Sequence, residues 1–165
     1  MSAWFVTYGY GEVHRDLVIG AYPLDAGDVR MLQVIGVDRV LNLVQDAEYE
    51  PGDRAEIEQA LLGAGIEETR VSLIDFGGLP AEQIEQAVAT VAGWLRAGHR
   101  VYVHCRAGWQ RSAAVAAGAI AVLEQIPISD ALAAVKARKP TADPLPHQRT
   151  DLESWWAQRE PRSAD

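Results

Sequence analysis

The 165-residue sequence contains one cysteine, Cys105, so no internal disulfide can staple the fold. Lysine is nearly absent, with only Lys136 and Lys139. Positive charge therefore rests on arginine. Asp and Glu outnumber Lys and Arg by 23 to 15, a formal net charge of -8. A surface of that sign repels nucleic acid and acidic membranes, so neither a nucleic-acid partner nor stable membrane association is expected. No stretch approaches the roughly 18 consecutive apolar residues of a spanning helix. The most apolar run, Ala113 to Ala121, is too short. Met1 to Tyr10 lacks the basic start and apolar run of a signal peptide, and a cytoplasmic protein is expected. His14, His99 and His147 have no ligand-like spacing, which argues against a metal site. No dinucleotide fingerprint surrounds Gly9 and Gly11, and no G-x-x-x-x-G-K-[ST] occurs, so no cofactor is expected.

What is present is the balance of a globular chain: 48% hydrophobic and 23% charged residues, enough to bury a core without metals or disulfides. Short apolar runs alternate with helical patterns, the mark of an α/β fold. Strands are expected at Leu17–Ile19, Val37–Val44, Arg70–Ile74 and Val101–Val103. Helices are expected over Asp25–Ile35 with Asp25 as N-cap, Asp53–Leu62, Pro80–Leu95, Ser112–Leu123, Ser129–Lys139 with Ser129 as cap, and Thr150–Gln158. The Ser112 helix is apolar on nearly every face, which places it in the centre of the core. Trp155 and Trp156 read as a docking face of the last helix. Trp4 to Tyr10 reads as an edge strand or as a lid.

The informative stretch is His104-Cys105-Arg106-Ala107-Gly108-Trp109-Gln110-Arg111-Ser112, set between a strand and a helix. Phosphate ester cleavage needs an ionised nucleophile, donors around three phosphate oxygens and a proton source for the leaving oxygen. A loop entering a helix supplies the first two. Backbone N–H groups from Arg106 to Arg111 can turn inward as an anion cradle. The same donors and the helix dipole favour a thiolate at Cys105. Gly108 gives the tight loop its backbone freedom. Arg111 can grip two phosphate oxygens through its planar fork. Ser112 can donate to the Cys105 sulfur when sulfur becomes the leaving group. His104 is expected to orient the loop, not to act as a base.

This H-C-x-x-G-x-x-R-S pattern resembles the signature of the cysteine-dependent protein tyrosine phosphatase superfamily, and within it the dual-specificity branch. The likeness extends from about Leu17 to Trp156 in element order. It implies one phosphatase domain over residues 1–165, with a central, largely parallel sheet flanked by helices on both faces. It implies that Cys105 is the nucleophile and Arg111 the phosphate clamp. It also implies a general acid about thirty residues before the cysteine, which is where Asp75 stands. On physical grounds an acid at the end of a parallel strand can face a neighbouring strand's loop. Gly77 and Gly78 could let that loop close on substrate. Asp46, Glu48 and Glu50 are acidic rivals.

Gln110 replaces the Gly or Ser usual in relatives, and with Trp109 it makes a bulky rim. Trp109 either stacks on a substrate ring or packs against the fold. Arg106 adds a charge, as in relatives acting on phospholipids. Three functions stay open: a phosphatase for phosphotyrosine, phosphoserine and phosphothreonine in proteins, which the short chain favours; a phosphatase for phosphoinositide, phospholipid or phospho-sugar esters; and a phospho-binding module without turnover. The expected partner is a phosphorylated protein or a small phosphate ester.

Overall fold

The computed structural model describes residues 1–159. Its strands are β1 (Tyr10–His14), β2 (Leu17–Gly20), β3 (Arg39–Asn42), β4 (Glu67–Arg70) and β5 (Val101–His104). Its helices are α1 (Ala3–Tyr8), α2 (Ala26–Val34), α3 (Asp53–Gly63), α4 (Ala81–Arg96), α5 (Arg111–Glu124), α6 (Ile128–Arg138) and α7 (Pro146–Arg159). The strands form one sheet in the order β1-β2-β5-β3-β4. β1 runs antiparallel to β2, and every other pairing is parallel. The fold is therefore α/β, as the alternation of elements implied, with the mostly parallel sheet that the resemblance implied.

Alternation along each strand divides the core. Leu17, Ile19, Leu41, Val101 and Val103 face one way and pack with α4, α5, α6 and α7. Val18, Val40 and Tyr102 face the other way and meet Phe5 of α1, Val29 and Leu32 of α2, and Ile57 and Leu61 of α3. With both faces covered, the central strands β2 and β5 are buried at every position. α5 is the helix with no polar side: Ser112 through Val122 are all buried. It tolerates this because alanine and glycine let neighbours approach. A Cβ at Gly118 would lie 2.7 Å from the Val88 side chain of α4 and 3.4 Å from the Trp155 ring of α7.

Several boundaries differ from expectation. The third expected strand lies three residues earlier, at Glu67–Arg70. Val71 to Leu73 continue as extended chain, tied by Val71 N–H to the Asn42 carbonyl and Leu73 N–H to the Leu43 carbonyl. Asp25 does cap α2, accepting from the Asp28 N–H. Ser129 does not cap α6: Pro127 is the N-cap, and its fixed extended geometry ends the preceding chain two residues sooner. α7 starts at Pro146, not Thr150, because proline suits a first helical position, where no N–H is needed. The N-terminal segment is neither strand nor lid alone. Residues Ala3–Tyr8 form a helix, capped by the Ser2 hydroxyl on the Phe5 N–H, and the edge strand begins only at Tyr10.

β5 is the central strand, so the loop that follows it leaves the sheet at its carboxyl edge. The chain after β3 and the chain after β4 leave at the same edge. In open α/β sheets this is where ligands sit.

Candidate active site

The loop from Cys105 to Gln110 joins β5 to α5. Its shape is set by two glycines in contact. Gly108 has φ +77°, and a Cβ there would lie 2.5 Å from the Cα and carbonyl carbon of Gly20. A Cβ at Gly20 would in turn lie 2.5 Å from the Gly9 carbonyl oxygen and from the Tyr102 hydroxyl. Only two residues without side chains let the loop rest on the end of β2.

Cys105 lies on the floor of this loop, buried, with Sγ 3.3 Å from the Ser112 hydroxyl. Burial pushes its thiol up, but four features outweigh it: the Arg111 charge, the Ser112 hydroxyl, and the Ser112 and Gln110 N–H groups. The net direction is down, toward thiolate. No side chain caps α5, so its first N–H groups are free for an anion. His104 is fully buried, and burial first, then the charges of Arg54, Arg111 and Arg70, lower its pKa to about 3. A neutral imidazole with Nδ1 3.4 Å from the Cys105 carbonyl supports the loop and takes no proton at neutral pH.

Arg111 opens α5, yet its side chain is buried and runs back beneath the neighbouring strands' ends. One terminal nitrogen donates to the Leu73 carbonyl at 2.9 Å and to Glu48 Oε2 at 2.9 Å. The other donates to Glu48 Oε1 at 2.8 Å and lies 3.2 Å from Asp75 Oδ1. Glu48 is thus a bidentate partner that fixes the plane of the fork. Burial raises the Glu48 pKa, but the Arg111 bond and the Gln45 N–H overcome it, and the carboxyl is held below its ordinary value. Of the acidic rivals, Glu48 positions Arg111, Asp46 pairs with Arg70 at 2.6 Å, and Glu50 lies outside the cleft. Sequence reasoning placed Glu48 among the acidic candidates but did not pair it with Arg111. The residue stands at the end of a short helical turn after β3, and nothing local ties it to Arg111, 63 residues on.

Asp75 does line the cleft, with Phe76, Cys105, Arg106, Ala107, Trp109, Gln110 and Arg111. The cleft holds about 280 Å³. Its remaining walls are Trp4 and Tyr8 of α1, from the segment that the sequence offered as an edge strand or a lid over the site. Trp4 Nε1 donates to the Arg106 carbonyl at 2.7 Å, and the Arg106 guanidinium lies 5.2 Å from the Trp4 ring centroid. Trp109 is exposed, contacts Tyr8 edge-on at 5.4 Å and faces the cleft, so it both packs on the fold and presents a ring to a ligand. Gly108 and Ser112 lie beneath, out of direct contact with the opening.

The fold thus brings a sulfur at a helix N-terminus, a buried arginine fork beside it and a carboxyl to one cleft, an arrangement suited to phosphate-ester chemistry. The catalytic domain of the dual specificity phosphatases matches residues 18–158. The chain belongs to the dual specificity phosphatase family. Its members are cysteine-dependent phosphatases. Human phosphatidylglycerophosphatase and protein-tyrosine phosphatase 1 is 30% identical over 116 residues, 65% of this chain and 57% of that protein. The chain therefore spans little more than half of the curated relatives it matches. In three dimensions it is similar to the crystal structure of PTPMT1, with TM-score 0.77 and 24% identity over 90% of this chain and 94% of that one. The active form of Tk-PTP gives TM-score 0.78 with 21% identity, over 90% of this chain and 97% of that chain. At such identities these structures establish the fold.

Proposed function

We propose that this phosphatase cleaves phosphate monoesters through a phospho-cysteine intermediate on Cys105. The observation that carries the reading is the convergence of three groups at one cleft: the buried Cys105 sulfur, the Arg111 fork and the Asp75 carboxyl. The Cys105 thiolate attacks phosphorus and a P–S bond forms. The ester P–O bond breaks, and its electron pair goes to the leaving oxygen. Asp75, as general acid, gives that oxygen its proton. Arg111 and the loop N–H groups hold the three equatorial oxygens as charge develops on them. Water then attacks the phospho-cysteine, Asp75 takes its proton, and the thiolate leaves with the Ser112 hydroxyl donating to sulfur. Phosphate is released and the enzyme is restored.

The walls support a class of leaving group. Trp4, Tyr8, Phe76 and Trp109 are aromatic, and Arg106 is the one cation besides Arg111 among the cleft's lining residues. Such a rim favours a flat or apolar group over a polyanionic sugar. This supports phosphotyrosine in proteins as the preferred substrate. A second reading, a glycerophospholipid monoester, is favoured by the name of the human relative and by the bound PI(5)P of a PTPMT1 structure with TM-score 0.77. The exposed Phe76 and Trp109 suit it too.

Hydrolysis of a phosphotyrosyl peptide and of phosphatidylglycerophosphate in mixed micelles, compared by kcat/KM under reducing conditions, separates these two. Higher efficiency on the peptide supports the first reading; the reverse order replaces it with the second. Cys105→Ser should lose at least about 10³-fold in kcat on either substrate. Residual turnover near wild type would remove the covalent mechanism.

A further inference from the structure

Resting on the reading of Asp75 as general acid, we infer that His147 and Asp151 of α7 are positioning residues for that acid. They hold the Asp75 loop in register with the phosphate site.

The loop from Ile74 to Leu79 buries only Leu79, at its far end, and has one internal backbone hydrogen bond, from the Gly77 N–H to the Ile74 carbonyl at 2.9 Å. Ile74 and Phe76 are exposed, and Phe76 has φ +60°, a left-handed conformation that costs a non-glycine residue energy. Such a backbone persists only where its surroundings over-determine it. The surroundings here are one face of α7. His147 Nε2 donates to the Phe76 carbonyl at 3.0 Å and the Gly77 carbonyl at 3.2 Å. Gln148 Nε2 donates to the same Gly77 carbonyl at 3.2 Å. One turn on, Asp151 Oδ2 accepts from the Leu79 N–H at 2.8 Å. Positions 147 and 151 are four apart and share a face, so one helical turn grips the loop on both sides of Gly78.

α7 is a firm base for this grip. Leu152 and Trp155 are buried in the core, and Trp155 Nε1 donates to Glu85 of α4 at 2.7 Å. Gln148 is itself fully buried and accepts from the Leu145 N–H. The path runs from core to α7, from α7 to the loop, and from the loop to Asp75. Of the two glycines that the sequence offered as a hinge, Gly77 is pinned: it accepts two hydrogen bonds, and a Cβ on it would lie 2.7 Å from Ile74. The acid is held in place before substrate arrives.

A group that only positions the acid has a distinctive kinetic signature. The proton matters most when the leaving oxygen is a poor leaving group, and little when it leaves readily as the anion. The test compares kcat/KM on phenyl phosphate and on 4-nitrophenyl phosphate for wild type, Asp75→Asn, His147→Ala and Asp151→Ala. General acid catalysis contributes about 10²–10⁴-fold, so partial misplacement should cost on the order of tenfold. His147→Ala and Asp151→Ala are expected to lose about that much on phenyl phosphate and under about threefold on 4-nitrophenyl phosphate. The conservative variants His147→Gln and Asp151→Asn, which keep a donor and an acceptor, should recover most of the loss. Thermal melts confirm that the variants are folded, and His147 is exposed enough to be replaced without a cavity. If Asp75→Asn discriminates between the two esters and the α7 variants lower both equally or neither, the positioning role is overturned and the acid stands. If Asp75→Asn itself fails to discriminate, the general-acid reading falls and this inference falls with it.

Discussion

The floor of the cleft and its rim are built on different principles. The floor consists of Cys105, Arg111, Ser112, His104 and the Gly108–Gly20 contact, all buried. Most of it comes from nine consecutive residues, held by the end of β5 and the start of α5. The rim consists of Trp4, Tyr8, Asp75, Phe76, Trp109 and Arg106, half-buried or exposed, and drawn from three distant parts of the chain. On the proposed mechanism, the floor binds what every phosphate ester shares and the rim meets what distinguishes one ester from another. A change in the floor should cost rate on all substrates, and a change in the rim should redistribute preference among them.

The sharpest test of that division after Cys105 is Arg111→Lys. Lysine keeps the charge but loses the planar fork that Glu48 orients. Removing one preorganised donor to a transition-state oxyanion typically costs about 10²–10³-fold. A loss of that size in kcat/KM is expected on phosphopeptide and lipid alike. A loss confined to one substrate class would place Arg111 in recognition and break the comparison.

The same division explains what the sequence revealed. Local signals sufficed for most of the floor, because a strand, a glycine and a helix start are all written within Val101 to Ser112; the Gly20 contact is not. Asp25 as cap of α2 and the fully apolar α5 were legible for the same reason. The rim was legible only in pieces. Trp4 and Tyr8 carry a helical spacing, but a six-residue helix gives too little period to announce itself. Glu48 and Arg111 meet across 63 residues, His147 and Phe76 across 71. Pairings at that separation depend on tertiary packing that no window of sequence contains. The misplaced strand at Arg70 has a related cause: Val71 and Leu73 are buried as an extension of β4 and so look like strand, while Glu67 to Thr69 are more exposed and polar.

A smaller effect is expected at the glycine contact. In Gly108→Ala the new methyl would overlap the Gly20 backbone, and the residue would have to keep φ +77°. Strain of that kind costs about 1–3 kcal/mol, part of it borne by stability and part by a displaced loop. Urea unfolding should show a lower midpoint, and kcat/KM should fall on every substrate by a common factor. Unequal losses would mean that the loop's backbone selects substrates alongside the rim.

His104 sharpens the comparison through pH. The unfolded imidazole takes a proton near pH 6.5, whereas the buried one resists until about 3. Between those values the unfolded state binds more protons, so stability falls as pH falls. Each unit below about 6.5 removes up to about 1.4 kcal/mol from this group alone. His104→Gln should be less stable at pH 7 and should show a shallower decline toward pH 5 in urea titrations. Equal slopes for the two proteins would show that the imidazole is not held neutral under the loop.

The smallest effect belongs to the rim. Trp4→Ala removes a ring from the wall together with the N–H that holds the Arg106 carbonyl. If the rim contacts only the leaving group, KM for an aryl phosphate should rise about two- to tenfold, the range of one aromatic contact, with kcat nearly unchanged. Inhibition by orthovanadate, which occupies the floor without any leaving group, should stay as in wild type. Trp4→Phe separates the two contributions, since it keeps a ring and drops the N–H. A normal KM in Trp4→Phe assigns the effect to the ring and leaves floor and rim independent. Weakened vanadate inhibition in both variants would mean instead that the Trp4–Arg106 hydrogen bond shapes the phosphate loop. α1 would then belong to the floor, although it lies about a hundred residues from Cys105 in sequence.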